Sequence, residues 1–127
     1  FLGSSLDGKN GIVVDDMIAS GDSMIDVSKE LKARNAGRGF VFSTFGLFTE
    51  GFERFDKAYA DGFLDGVFTT NLIYNKPELL EKPWYHQVDM SKYVALLINE
   101  LNAEHSISDL LNPINRINNI LEKYKNM

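Results

Sequence analysis

The sequence predicts an α/β fold: a mainly parallel sheet with crossover helices, arranged as a three-layer sandwich. Three observations carry that expectation. Apolar, β-branched or aromatic runs recur along the first half: GIVVDD (11–16), GFVFSTFG (39–46) and DGVFTTN (65–71). Between them stand stretches whose apolar residues fall at helical spacing. The runs themselves are nearly continuous, as in parallel strands covered on both faces, whereas a half-wet strand alternates.

Each element has its own signal. FLGSSLDGKN (1–10) is turn-rich, punctuated by Gly8 and Asn10. The first strand is expected from about Gly11 to Asp15. A helix follows from near Asp22, with Met24, Val27, Ser28 and Leu31 on one face. It is expected to stop near residues 35–37, with Gly37 as terminator. After the second strand, TEGFERFDKAYADG offers Thr49 as an N-cap and Phe52, Phe55 and Tyr59 at helical spacing. The aromatic density there, and Trp84-Tyr85, point first to core packing. The third strand ends at Thr70 and Asn71. Pro77 and Pro83 break up the segment 72–86, and HQVDM (86–90) is a candidate edge strand. Ser91 is the expected cap of a helix bearing Tyr93, Leu96, Leu97 and Leu101 on one face. Asn112-Pro113 reads as an N-cap with proline at the first helical position. The last helix carries the stripe Ile114, Ile117, Ile120, Leu121 and Tyr124.

Composition bounds the function. The 127 residues suit one domain with a real core. A formal net charge of −5 argues against a general nucleic-acid binder. With no cysteine there is no disulfide, no thiolate metal site and no Cys nucleophile. No stretch is long and apolar enough to span a membrane, and no secretory leader pattern is present. We therefore expect a cytoplasmic protein without nucleic-acid or membrane partners. Because it opens on Phe1, we expect a fragment, a processed product or an engineered chain. His86 and His105 stand alone and are read as ordinary histidines. Asp89 and Asp109, beside loop residues, are read as capping groups.

The informative stretch is GIVVDDMIASGDSM (11–24). In open α/β sheets, ligands bind beyond the carboxyl ends of the strands. Here Ala19, Ser20, Gly21, Asp22 and Ser23 lead from such an end into a helix. Backbone N–H groups at a helix N-terminus favour an anion. Gly21 permits close approach, and the serines add hydroxyls. A phosphate monoester suits the loop. Asp15 and Asp16 would repel that phosphate and must face another part of the ligand. A carboxylate accepts two hydrogen bonds from a vicinal diol, so a ribose 5-phosphate group satisfies both features. A strand ending in Asp before a Gly/Ser turn also occurs in many α/β proteins without such a ligand. Neither G-x-G-x-x-G nor G-x-x-x-x-G-K-[ST] occurs.

VVDDMIASGDSM resembles the ribose-5-phosphate loop of the type I phosphoribosyltransferase fold. DGKNGIVVDD, FTTNLIY and VDMSKYVALLINELNAEHSISDLL narrow the likeness to the ribose-phosphate pyrophosphokinases (phosphoribosyl-pyrophosphate synthetases). The resemblance covers roughly residues 5–112 and matches the later of that family's two α/β domains. It implies a phosphoribosyltransferase-like domain at 1–112 and a helical extension at 113–127. The implied reaction is transfer of the diphosphoryl group of ATP to ribose 5-phosphate, with Mg2+. Asp15 and Asp16 would engage ribose hydroxyls, and Ala19, Ser20, Gly21, Asp22 and Ser23 would cradle the phosphate. The resemblance identifies no catalytic residue and no metal ligand in this chain. It also implies a homo-oligomer and an N-terminal domain that this chain lacks, so the chain alone is expected to be inert. Asp22 departs from the family, where that position is often Gly. Its carboxylate must point away from the phosphate or be offset by a cation. The alternatives are a nucleobase phosphoribosyltransferase and a non-catalytic regulatory family member.

Overall fold

A computed structural model describes residue 3 and residues 5–127. Most of the turn-rich lead is among them, and residues 1, 2 and 4 lie outside. Contacts divide the chain into two units, one ending at Asp89 and one running from Met90 to Met127. That division follows compactness, whereas the 112–113 boundary follows family likeness.

The first unit is the expected α/β succession. Its elements are β1 (Gly11–Ile18), α1 (Asp22–Ala33), β2 (Gly39–Gly46), α2 (Glu53–Ala60), β3 (Gly66–Thr70), α3 (Pro77–Leu80) and β4 (Tyr85–Val88). The four strands pair in parallel in the order β1-β2-β3-β4. Strands that pair in chain order through crossovers of one hand carry their helices on one face. The core shows that outcome. Met24 and Ile25 of α1 and Phe55 and Ala58 of α2 form one buried cluster with Val41, Val67, Trp84 and Tyr85. The register row Val13–Val41–Val67–Tyr85 lies beneath these helices. The next row, Val14–Phe42–Phe68–His86, belongs to the other face, where Val14 is 76% exposed. Phe42 and Phe68 stack there at 4.6 Å, and His86 stacks on Phe68 at 4.7 Å.

The aromatic-rich segment is core, as expected. Phe48, Phe52, Phe55 and Trp84 are buried and meet at ring distances of 5.1–6.4 Å. Side chains of this size each contribute about 2–3 kcal/mol on burial. Trp84 Nε1 donates to Asp56 Oδ1 at 2.7 Å, which satisfies the one polar group of the indole. Lys82 Nζ donates to Asp56 Oδ2 at 2.7 Å. Burial alone would raise the Asp56 pKa, but the hydrogen bonds from Lys82 and Trp84 and the lysine charge outweigh it and lower it.

Several boundaries differ from expectation. β1 continues to Ile18 rather than stopping near Asp15, because Met17 and Ile18 still pair with Phe45 and Gly46. Asp16 has no register partner, and alternation slips there: Val13 and Ile18, an odd number apart, both pack on the core. Asn35, not Gly37, terminates α1. Asn35 has φ +63, and the N–H groups of Asn35 and Ala36 donate to Lys32 and Leu31 carbonyls, a Schellman closure. Thr49 does not cap α2; Gly51, at φ +83, intervenes and Phe52 takes the cap position. Tyr59 is exposed, and Ala58 takes the inward position. Asp89 accepts from Asn71 Nδ2 at 2.9 Å.

The second unit holds α4 (Ser91–Asn102), α5 (Ser108–Leu111) and α6 (Ile114–Lys125). Ser91 is the first residue of α4, with Met90 at the cap position. Pro113, not Asn112, takes the N-cap position of α6, one residue later than expected; Asn112 Oδ1 still accepts from the Ile114 N–H at 3.1 Å. Tyr93 Oη donates to the Leu110 carbonyl at 3.1 Å, and Arg116 lies 5.1 Å from the Tyr93 ring centre. The stripe Ile114, Ile117, Ile120, Leu121 and Tyr124 is exposed. His105 lies beside Glu100, Nδ1 to Oε2 3.1 Å. Among the described residues, no helix is long and apolar enough to cross a membrane.

Candidate functional site

β1 delivers its chain to the carboxyl edge of the sheet, and Ala19-Ser20-Gly21 turns it into α1. The turn is short because Gly21 adopts φ +89 at the N-cap position. Any side chain there would be strained and would force its neighbours to shift. A Cβ on Gly21 would lie 2.3 Å from Phe55 Cζ, so the ring of α2 sets how low the loop sits.

The loop encloses a hollow of about 140 Å3. It is lined by Asp15, Met17, Ile18, Ala19, Ser20, Gly21, Ser23 and Met24. Five of the seven expected site residues therefore share one hollow: Asp15, Ala19, Ser20, Gly21 and Ser23. Asp16 and Asp22 do not line it. The first α1 hydrogen bond runs from the Ile25 N–H to the Gly21 carbonyl at 3.0 Å. The N–H groups of Ser23 and Met24 precede that bond and have no intrahelical acceptor. No side chain caps α1. The donors that would meet an anion are thus in place, with Ser20 Oγ accepting from the Asp22 N–H at 3.4 Å to brace the turn.

Asp22 points elsewhere. It lines a groove of about 600 Å3 between α1 and α2, with Asp26, Lys29, Arg54 and Lys57 among the neighbours. Arg54 Nη1 lies 2.5 Å from Asp22 Oδ1, and Arg54 Nη2 lies 2.5 Å from Glu50 Oε2. Both conditions set by the sequence are met: the carboxylate faces away from the hollow and a cation offsets it. Arg54 escaped the sequence reading. Nothing local marks it, because the contact spans 32 positions.

A second hollow, of about 190 Å3, lies at the same edge between Val14, Phe42, Phe68, Thr70 and Val88. Asp15 lines both hollows, and its Oδ1 accepts from the Asp16 N–H at 2.8 Å. Among the described residues, no group of three His, Asp or Glu side chains is placed to hold a metal.

A family profile for the phosphoribosyl synthetase-associated domain matches residues 2–112. The chain belongs to that family. Its relatives include the ribose-phosphate pyrophosphokinase of Shewanella oneidensis, 30% identical over 101 residues, covering 80% of this chain and 31% of the relative. That of Mycoplasma pneumoniae is 41% identical over 66 residues, covering 51% and 20%. The human phosphoribosyl pyrophosphate synthase-associated protein 2 is 31% identical over 107 residues, covering 84% and 28%. The phosphoribosylpyrophosphate synthetase of Mycobacterium smegmatis has the same fold, with TM-score 0.70 at 19% identity over 80% of this chain and 33% of that one. The chain spans about a third or less of the length of these relatives. The expected family and the expected parallel α/β fold both hold.

Proposed function

We propose that the β1–α1 loop binds ribose 5-phosphate, as part of an enzyme that transfers the diphosphoryl group of ATP to that sugar. The observation that carries the reading is the shared hollow of Asp15, Ser20, Gly21 and Ser23 beside unpaired helix N–H groups. The phosphate sits against the N–H groups of Ser23 and Met24, where the helix dipole is positive. Asp15 accepts hydrogen bonds from the ribose hydroxyls. Asp16, outside the hollow, has the weaker claim to that role.

Phosphoryl transfer needs charge stabilisation by cations and metal. Mg2+ bound through nucleotide phosphates and waters needs few protein ligands, so a carboxylate of the β1 end such as Asp16 would suffice to meet it. The chain contributes binding and orientation of the sugar phosphate, not the cationic groups that steady the transferring phosphoryl. ATP, a further domain and a homo-oligomer complete the proposed enzyme, working in the cytoplasm. The 127-residue chain alone shows no turnover on this reading; a measured rate with ATP, Mg2+ and ribose 5-phosphate would overturn it.

Binding is tested by calorimetric titration with ribose 5-phosphate, using ribose and inorganic phosphate as controls. Selective binding that is lost in Asp15→Asn and in Gly21→Val supports the cradle. Binding indifferent to both substitutions refutes it. A second reading is a non-catalytic family member. It is favoured by Asp22 in the loop and by the likeness to a synthase-associated protein. On that reading the sugar phosphate binds but turnover stays absent after a catalytic partner domain is supplied. Consumption of a free nucleobase would instead mark a phosphoribosyltransferase.

A further inference from the structure

We propose that Arg54 is a positioning residue that keeps the phosphate hollow open by holding the Asp22 carboxylate in the α1–α2 groove. The proposal rests on the reading of that hollow as a phosphate site. Asp22 is the first residue of α1 and sits at the rim of the hollow. A helix N-terminus carries about half a positive charge, and it attracts any carboxylate within its first turn. The Ser23 and Met24 N–H groups offer that carboxylate the same donors that a phosphate would use. Asp22 is therefore a built-in competitor for the site, carried on a side chain that cannot diffuse away.

The geometry removes the competitor. The Asp22 side chain lines the groove and not the hollow. Arg54 Nη1 holds it at 2.5 Å, while Nη2 is held by Glu50 at 2.5 Å. With one arm anchored on Glu50, the guanidinium is fixed on the groove side. Lys29 and Lys57 share the groove, but so do Asp26 and Asp61, so its remaining charges balance. Arg54 is the group in contact with Asp22. Two consecutive residues of α2 thus control the loop. Phe55 shapes its backbone from below Gly21, and Arg54 steers its charge. Both partners of the Asp22–Arg54 pair are exposed, so the pair adds little to global stability and its effect falls on the loop.

Removing Arg54 frees Asp22 to fold back onto the Ser23 and Met24 N–H groups. The test is a set of four proteins: the unaltered chain, Arg54→Gln, Asp22→Gly and the double variant. Each is titrated with ribose 5-phosphate and with inorganic phosphate, and amide NMR spectra are recorded without ligand. Arg54→Gln is expected to weaken binding by about tenfold, the worth of a charge-assisted hydrogen bond to a competing donor set. In the Asp22→Gly background the same substitution loses that effect. In the free protein, the Ser23 and Met24 amide resonances move in Arg54→Gln and stay in place in the double variant relative to Asp22→Gly. Equal weakening in both backgrounds overturns the proposal, because Arg54 then acts directly on phosphate or merely supports α2. Unmoved Ser23 and Met24 amides overturn it as well. Failure of the unaltered chain to bind either ligand sinks the phosphate reading instead, and the ligand-free spectra still decide the role of Arg54.

Discussion

Two neighbouring loops leave the same edge of the sheet, and they end in opposite uses. The β1–α1 loop takes three small residues, 19–21, to reach its helix. The β2–α2 loop takes six, 47–52, and two of them are Phe48 and Phe52. The short loop leaves a polar hollow; the long one fills the equivalent space with aromatic rings. Phe48 accepts an uncommon φ of +47 to place its ring 5.1 Å from Phe55 and 5.9 Å from Trp84. The loops are also tied together. Leu47 N–H donates to the Ile18 carbonyl at 2.9 Å and Thr49 N–H to the Ala19 carbonyl at 3.0 Å. The buried plug therefore holds the open cradle in shape. Residues outside the hollow thus help to set its shape.

The hardest blow to this pairing is Phe55→Ala, because Phe55 is fully buried and serves both loops. We expect a loss of about 3–5 kcal/mol in urea unfolding. Unchanged stability would mean that the plug does not carry the cradle. Next comes Gly21→Ala. Its positive φ and the Phe55 contact predict a loss of about 1–3 kcal/mol, together with loss of sugar-phosphate binding.

A pH titration sharpens the plug's side of the comparison through Asp56. Its pKa is lowered in the folded chain, so its contribution is present above the ordinary value of 3.8 and lost as pH falls through the lower folded value. Asp56→Asn is expected to lower the melting temperature at neutral pH. That difference should close in acid below 3.8, and a constant difference across the range would contradict it. The smallest effect belongs to the cradle itself. Ser20→Ala should change stability by no more than about 0.5 kcal/mol, while calorimetry should show ribose 5-phosphate binding about threefold to tenfold weaker.

The sequence was legible where local chemistry decides the outcome. The β2 run needed no more than its own aromatic and β-branched residues to be placed at Gly39–Gly46. Gly21 was read as permitting close approach, and the same missing side chain lets it take the φ of +89 that turns β1 into α1. Misreadings arose where a distant partner decides. β1 runs on to Ile18 because β2 continues to offer it hydrogen bonds. Thr49 looked like a cap, but its N–H is spent on Ala19 and the chain turns at Gly51 first. Asp22 looked like an obstacle to phosphate, and the residue that turns it aside lies 32 positions away on another helix.

The strand order has a kinetic consequence. Each strand pairs with the strand completed just before it, so the sheet can lengthen from one edge in the order of synthesis. β1 and β2 with α1 form the first closed unit, and the plug residues of α2 follow. Trp84 stands just before β4, the last strand of the first unit, and is the only tryptophan of the sequence. Its ring stacks on Phe55 at 5.2 Å, and its indole N–H locks onto Asp56. The fluorescence of that single residue therefore reports on closure of the first unit's core: a Trp84 transition that trails the helical circular-dichroism signal on refolding would show the aromatic plug forming after the helices.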